Sequence, residues 1–291
     1  MEYLRLVSRR PVLVLLAILC AYLLAYLGLW RFQTKLIFLP RKSVGSTPSD
    51  VGLPYEDLRL SVKNGEVHSW WIPAPTAVAN SPVVIFAHGN ASNLSDLVFR
   101  FQQFHDWGCS VMAFDYRGYG ESSGPFPNEQ RVYEDIEAAW QYLTMQRQIE
   151  ASKIVAYGQS IGGAIALNLA VDHPEAAGLI MESSFTSMRD MVDYRFPLLP
   201  KVIPIDWLLT QRFDSVQKMR SLQVPLLLIH GTDDDIVPVS MSQRLHEAAI
   251  SGGNTATRLF LIDGGDHNSL PTAGGDAYAK SIQAFIGLQS N

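Results

Sequence analysis

The sequence predicts an α/β fold: a mostly parallel, eight-stranded sheet with helices on both faces. Three observations carry this. Short, mostly apolar runs recur at Val83–Ala87, Ser110–Phe114, Ile154–Tyr157, Gly178–Met181, Leu226–Ile229 and Arg258–Ile262. Runs of that length and composition suit strands buried on both faces. Helix-like stretches alternate with them, at Leu94–His105, Glu129–Gln146, Ile161–Val171, Ser240–Ile250 and Ala277–Leu288. Such alternation builds a parallel sheet. Ahead of both, strand-like Tyr55–Val62 and Glu66–Ile72 flank Lys63-Asn64-Gly65. Asn-Gly is the strongest short hairpin signal, so this pair adds antiparallel strands at one edge.

The chain opens on a different kind of element. Pro11–Trp30 holds no charge over twenty positions, enough helix to span about 30 Å. Arg5, Arg9 and Arg10 precede it, while Trp30, Arg31 and Lys35 follow as interfacial anchors would. A cleaved signal peptide would end in small residues, and this segment exits through Ala25-Tyr-Leu-Gly-Leu-Trp. Residues 1–31 are therefore expected to be a membrane anchor with a short basic flank. Residues 32–54, rich in Pro, Ser and Gly, read as a linker with an apolar patch at Leu36–Leu39. The remaining 55–291 form the α/β domain.

One interval interrupts the strand–helix alternation. Between Ser187 and Ser221 many apolar side chains are broken up by Pro197, Pro200 and Pro204. That is too apolar for a solvated loop and too proline-rich for one helix. A small cap at about 187–221 fits, with Phe196, Trp207 and several leucines lining a pocket.

Composition removes several function classes. The 291 residues are 47% hydrophobic with a net charge of −5 and no basic stripe, which argues against nucleic acid as a partner. There are two cysteines, Cys20 in the apolar segment and Cys109 at a strand start. Neither a disulfide framework nor a thiolate metal site can be built from them.

The chemistry lies in Lys153–Ala166, where a β-branched strand runs into Gly158-Gln-Ser160-Ile-Gly162 and then into an alanine-rich helix. The pentapeptide alone would match by chance about 0.1 times in such a chain. Its strand–turn–helix setting makes it a nucleophile elbow, with Ser160 raised towards the N-terminus of the following helix. A serine hydroxyl needs a base within hydrogen-bond reach, itself oriented by a carboxylate. On such an elbow the partners follow as acid, then histidine.

Four histidines lie downstream. His173 sits in a helix-terminal Asp-His-Pro, His230 ends a strand, and His246 falls within an amphipathic helix. His267, in the glycine-rich loop after the last strand, is free to swing over the elbow and is the expected general base. The loop after Leu226–Ile229 offers Asp233, Asp234 and Asp235. Three adjacent anions cannot all be buried comfortably. Asp234, mid-loop, is the expected acid, with Asp235 the alternative. Oxyanion donors are expected from the N–H of Ile161 and, where Gly89 lets the chain turn after Val83–Ala87, from the N–H of Asn90, with Ala91 the fallback.

Five ordered motifs carry a resemblance: His88-Gly-Asn-Ala, Phe114-Asp-Tyr-Arg-Gly-Tyr-Gly-Glu-Ser-Ser-Gly124, Gly158-Gln-Ser-Ile-Gly-Gly163, His230-Gly-Thr-Asp-Asp-Asp-Ile-Val-Pro238 and Gly265-Asp-His267. From about residue 32 to the end the chain resembles the α/β-hydrolase superfamily, and within it the membrane-anchored Bem-type branch related to serine-aminopeptidase-like hydrolases. The resemblance implies Ser160, Asp234 and His267 as a triad. The Asp-Asp-Asp loop departs from that branch.

The expected activity is acyl transfer to water from an ester or thioester, which requires no metal or organic cofactor. The substrate partner is expected to be an acyl ester or thioester, such as a lipid or lipidated protein at the membrane surface. Serine aminopeptidase activity is the alternative, although an α-ammonium needs carboxylates and the cap offers only scattered Asp190, Asp193, Asp206 and Asp214. A non-catalytic binding protein on the same fold is a further alternative, against which the complete elbow and triad argue.

Overall fold

A computed structural model describes residues 2–75 and 81–287. Met1, residues 76–80 and 288–291, including the Leu288 expected to close the last helix, lie outside the described residues, as do the side chains of Arg5, Arg9 and Arg10. The strands are β1 Glu56–Val62, β2 Gly65–Ile72, β3 Val83–Ala87, β4 Ser110–Phe114, β5 Ile154–Gln159, β6 Gly178–Glu182, β7 Leu226–Gly231 and β8 Thr257–Ile262. They form one sheet in the order β1-β2-β4-β3-β5-β6-β7-β8. β2 pairs antiparallel with β1 and β4, and every other pairing is parallel. This is the α/β-hydrolase fold the motifs implied. The hairpin differs from expectation in one respect: the turn is Lys63-Asn64, with the positive φ of 64° on Asn64. Gly65 already belongs to β2, where a Cβ would sit 2.4 Å from the Ser123 carbonyl oxygen.

Helices cover both faces. α3 (Glu129–Gln141), α4 (Ile161–Asp172) and α8 (Ser240–Ser251) pack Ile136, Ile165 and Leu245 into one core with Ile85 of β3. α2 (Val98–Asp106) and α9 (Leu270–Phe285) pack Phe101, Phe104, Tyr278 and Ile282 into the other, with Val84 and Phe86. The alternation of β3 between the two cores shows why it reads as a continuous apolar run. α9 starts at Leu270, ahead of the expected Ala277, because helical turns meet across a kink at Gly275, φ 48°.

The N-terminal helix α1 runs from Glu2 to Ile37. It passes Arg31 and Lys35, good helix formers that do not stop a helix. It stops just before Leu39-Pro40, where the residue preceding proline is pushed out of the helical region. Its apolar span, Pro11–Ile37, would extend about 40 Å at 1.5 Å per residue, long and apolar enough to cross a membrane. The expected linker is no free tether. Phe38, Pro48 and Leu53 are buried, and Gly120 donates to the Arg41 carbonyl at 2.8 Å.

The cap interval folds as α5 (Met188–Arg195), α6 (Ile205–Leu208) and α7 (Ser215–Met219). α1 packs against it through Gln33. The Gln33 side chain donates to the Leu208 carbonyl at 3.0 Å and accepts from the Thr210 N–H at 2.8 Å. Trp207, expected to line the pocket, is 79% exposed, because the four-residue α6 turns Ile205 and Leu208 inward instead.

Candidate active site

β5 ends at Gln159 and α4 begins at Ile161, so Ser160 alone makes the turn between strand and helix. Its backbone lies at φ 56°, ψ −119°, a conformation that costs a non-glycine residue about 1–3 kcal/mol. Neighbouring main chain holds it there. The Ser160 N–H donates to the Glu182 carbonyl at 2.8 Å, and the Ser160 carbonyl accepts from Gly163 N–H at 3.0 Å and Ser184 Oγ at 2.8 Å. The flanking glycines answer to contact. A Cβ on Gly158 would sit 2.1 Å from the Gly162 carbonyl oxygen, and one on Gly162 2.1 Å from that of Ala87.

Ser160 and Ile161 line a cavity of about 670 Å³, shared with Asn90 and His267. The Ile161 N–H belongs to the first turn of α4, whose amides have no partner within the helix and favour negative charge. Across the cavity the His88–Ala91 loop differs from expectation. The positive φ, 60°, falls on Ala91, while a Cβ on Gly89 would make only ordinary contact. The Ala91 N–H donates to Asn90 Oδ1 at 3.0 Å. That commitment leaves Asn90 the better of the two expected oxyanion donors on this loop.

The loops carrying Asp234 and His267 are bound together. Asp233 N–H donates to the Gly265 carbonyl at 3.0 Å and Thr232 N–H to that of Ile262 at 2.9 Å. Gly231 is required at this junction, since a Cβ there would lie 2.0 Å from the Gly265 oxygen. The approach brings His267 Nδ1 to 2.7 Å from Asp234 Oδ2, both side chains being buried. A carboxylate only accepts, so Nδ1 carries the proton and Nε2 is left as the basic nitrogen. Asp233 and Asp235 are exposed.

Asp234 is held from every side. Oδ1 accepts from Ile236 N–H at 3.0 Å and Val237 N–H at 2.8 Å, and His230 Nε2 lies 3.1 Å from Oδ2. Burial pushes its pKa up, but hydrogen bonds from His230, His267 and Val237 outweigh this and hold it well below the ordinary aspartate value. His230, expected only to end a strand, stands behind Asp234 in the structure. Its Nε2 faces two acceptors, Asp234 and the Val237 carbonyl at 2.8 Å, and so carries a proton. Nδ1 then accepts from Ser242 Oγ at 2.6 Å. The available signal was a histidine at a strand end, four residues before Asp234. His173 instead pairs with Glu137 at 2.8 Å, and His246 lies half-buried on α8.

Three further contributions to the cavity were not anticipated. Ile37 and Leu39, at the exit of α1, form part of its wall. Arg100 lines it from α2, with Nη2 at 3.1 Å from Glu182 Oε2 and 2.5 Å from the Tyr157 and Tyr278 hydroxyls. Burial opposes the Arg100 charge, but Glu182 and the two phenols more than restore it. Met188 and Met191 add apolar surface from the cap. Among the described residues no group of three or more His, Cys, Asp or Glu is disposed to hold a metal ion.

The family described as serine aminopeptidase, S33, matches residues 79–218. An uncharacterised protein of Mycobacterium tuberculosis is 31% identical over 277 residues, covering 95% of this chain and 94% of its own. The α/β hydrolase domain-containing protein WAV2 of Arabidopsis thaliana is 28% identical over 88% of this chain and 87% of its own. An esterase of Pyrococcus furiosus superposes with a TM-score of 0.71 at 20% identity, covering 86% of this chain and 97% of that one. An α-β hydrolase from Vibrio vulnificus gives 0.71 at 22% identity, over 84% and 88% respectively. At those identities the two structural likenesses are likenesses of fold.

Proposed function

Because the chain belongs to the α/β-hydrolase family, we propose that it is a membrane-anchored serine hydrolase acting on esters or thioesters of apolar acyl groups. His267 Nε2 takes the Ser160 proton, and Ser160 Oγ attacks the acyl carbonyl. The N–H groups of Asn90 and Ile161 hold the oxyanion. As the tetrahedral intermediate collapses, His267 gives its proton to the departing alcohol or thiol, leaving an acyl-serine. Water, activated by the same histidine, then releases the acid. Asp234 holds the imidazole tautomer and stabilises the imidazolium that forms.

The observation carrying this reading is the Ser160 turn: a strained serine at a helix N-terminus, sharing a cavity with a histidine whose other nitrogen is bound to a buried carboxylate. The cavity's apolar lining, including Phe185, Met188 and Met191, favours a hydrocarbon acyl group. α1 supplies the anchor that would keep the site at a bilayer surface. Aminopeptidase action is disfavoured by charge. Asp96, the acidic side chain among the described lining residues, is paired with Arg41 at 2.7 Å. Asp193 and Asp206 pair with Arg189, and Asp190 with Arg244 at 3.1 Å.

Turnover of p-nitrophenyl esters by the full chain in detergent micelles tests the reading. Ser160→Ala should abolish it, together with labelling by a fluorophosphonate, while far-UV circular dichroism is retained. Undiminished hydrolysis by that variant overturns the assignment. Cleavage of aminoacyl amides in place of esters would move the activity to the peptidase class.

A further inference from the structure

We infer that the acyl chain of the substrate runs beyond the Ser160 cavity into a second, apolar compartment of which the N-terminal helix is one wall. This rests on the serine-hydrolase reading above. The compartment has a volume of about 310 Å³. Leu29 and Leu36 of α1 face Val192 of α5 and Leu208 of α6 across it. Three residues, Ile37, Met188 and Met191, line both this space and the Ser160 cavity, so the two are neighbours separated by an apolar waist. Two of those three are methionines, unbranched side chains that adapt to a threaded chain.

The chemistry of the wall selects the occupant. The Gln33 side chain, one of its few polar groups, is consumed by the Trp30 and Leu208 carbonyls at 2.9 and 3.0 Å and the Thr210 N–H at 2.8 Å. Arg195 is exposed, with its charge free to face water. A peptide or sugar would leave its polar groups unpaired here, at a cost of about 1–3 kcal/mol each, whereas an alkyl chain would not. A short acyl group fits within the first cavity. A longer one that follows the apolar wall of that cavity reaches the methionine waist, and the apolar space adjoining it among the described cavities is this compartment.

The test uses the full chain in detergent micelles and two filling variants, Val192→Trp and Leu36→Trp. Leu36 is 65% exposed on α1, so its replacement leaves the folded core alone. The readout is the ratio of kcat/KM for p-nitrophenyl decanoate to that for p-nitrophenyl butyrate. This ratio should fall by about tenfold or more in both variants. An unchanged ratio in Leu36→Trp overturns the compartment. A second arm does not depend on turnover. Dodecanoate, displacing a fluorescent fatty acid, should bind Ser160→Ala about tenfold more tightly than Ser160→Ala carrying Leu36→Trp. Equal binding overturns the proposal. If wild type hydrolyses no ester while the binding difference holds, the hydrolase reading fails and the compartment stands.

Discussion

Asn90 Nδ2 donates to the main-chain carbonyl of Ile37 at 2.6 Å, and Asn90 Oδ1 accepts from the Leu39 N–H at 2.9 Å. The exit of the apolar helix is thus fastened to the loop that lies beside Ser160. Oδ1 also accepts from the Tyr119 hydroxyl at 2.7 Å and the Ala91 N–H at 3.0 Å. Asn90 therefore holds the loop through its side chain, which leaves its own N–H free for the proposed role of oxyanion donor. Asn90→Ala strands several polar groups, each worth about 1–3 kcal/mol when left unsatisfied. The variant should unfold at lower urea and lose about tenfold or more in kcat. Asn90→Asp keeps the acceptor and loses the donor to Ile37. It should fall between wild type and Asn90→Ala in stability, measured by the same urea titration.

Asp234→Asn should lower kcat by about four orders of magnitude, because an amide lets the His267 ring settle in the wrong tautomer. Asp235→Asn should change kcat by less than about threefold, as expected for an exposed surface carboxylate away from the histidine. Ester hydrolysis by the two variants side by side decides between these acids. His230→Ala removes the proton donor behind Asp234 and should lower kcat with little change in KM, as a positioning role requires.

The low pKa of Asp234 sets a direction for acid stability. The folded state holds this carboxyl below its unfolded value of about 3.9. Between those two values the unfolded chain binds the proton and the folded one does not, so stability falls as pH falls. The contribution is full above about pH 5 and is lost on descending through the folded pKa. Urea unfolding from pH 6 down to pH 2.5 should show wild type and Asp234→Asn converging. A gap that widens with acid would contradict the assignment of the low pKa to Asp234.

Legibility in the sequence followed the range of the interactions. The strands could be placed closely because each is a short apolar run bounded by glycine or polar residues, and Ser160 because elbow, strand and helix are contiguous. Asp234 and His267 could be ordered because both loops follow strands. The contact from Asn90 to Ile37 spans 53 positions and leaves no local pattern. Trp207 was misplaced for a related reason: composition marks a cap as apolar but does not say which residues turn inward. Gly89 was credited with a turn whose positive φ belongs to Ala91, because residue type alone suggested glycine.

The outward face of the cap is apolar. Trp207, Leu198 and Val202 are 79%, 70% and 66% exposed, and the Tyr22 hydroxyl of α1 donates to the Val202 carbonyl at 3.2 Å. A large apolar side chain gains about 1.5–3 kcal/mol on leaving water. Trp207→Ser with Leu198→Ser should therefore lower turnover of an ester embedded in phospholipid vesicles by about tenfold or more. Hydrolysis of soluble p-nitrophenyl acetate should be unaffected. Equal activity on vesicles would mean that this face does not meet lipid.

Strain at Ser160 predicts a reversal of the usual glycine penalty. At an ordinary position glycine is less stable than alanine, because it frees the unfolded chain. At φ 56°, ψ −119° alanine keeps the strain of a Cβ, about 1–3 kcal/mol, while glycine is released from it. The Gly163 and Ser184 bonds to the Ser160 carbonyl are retained in both variants, since they involve only the main chain of residue 160. Ser160→Gly and Ser160→Ala should thus be equally inactive, yet Ser160→Gly should unfold at the higher urea concentration. If the alanine variant proves the more stable, the elbow carries no strain, and the serine is held there by its surroundings without cost.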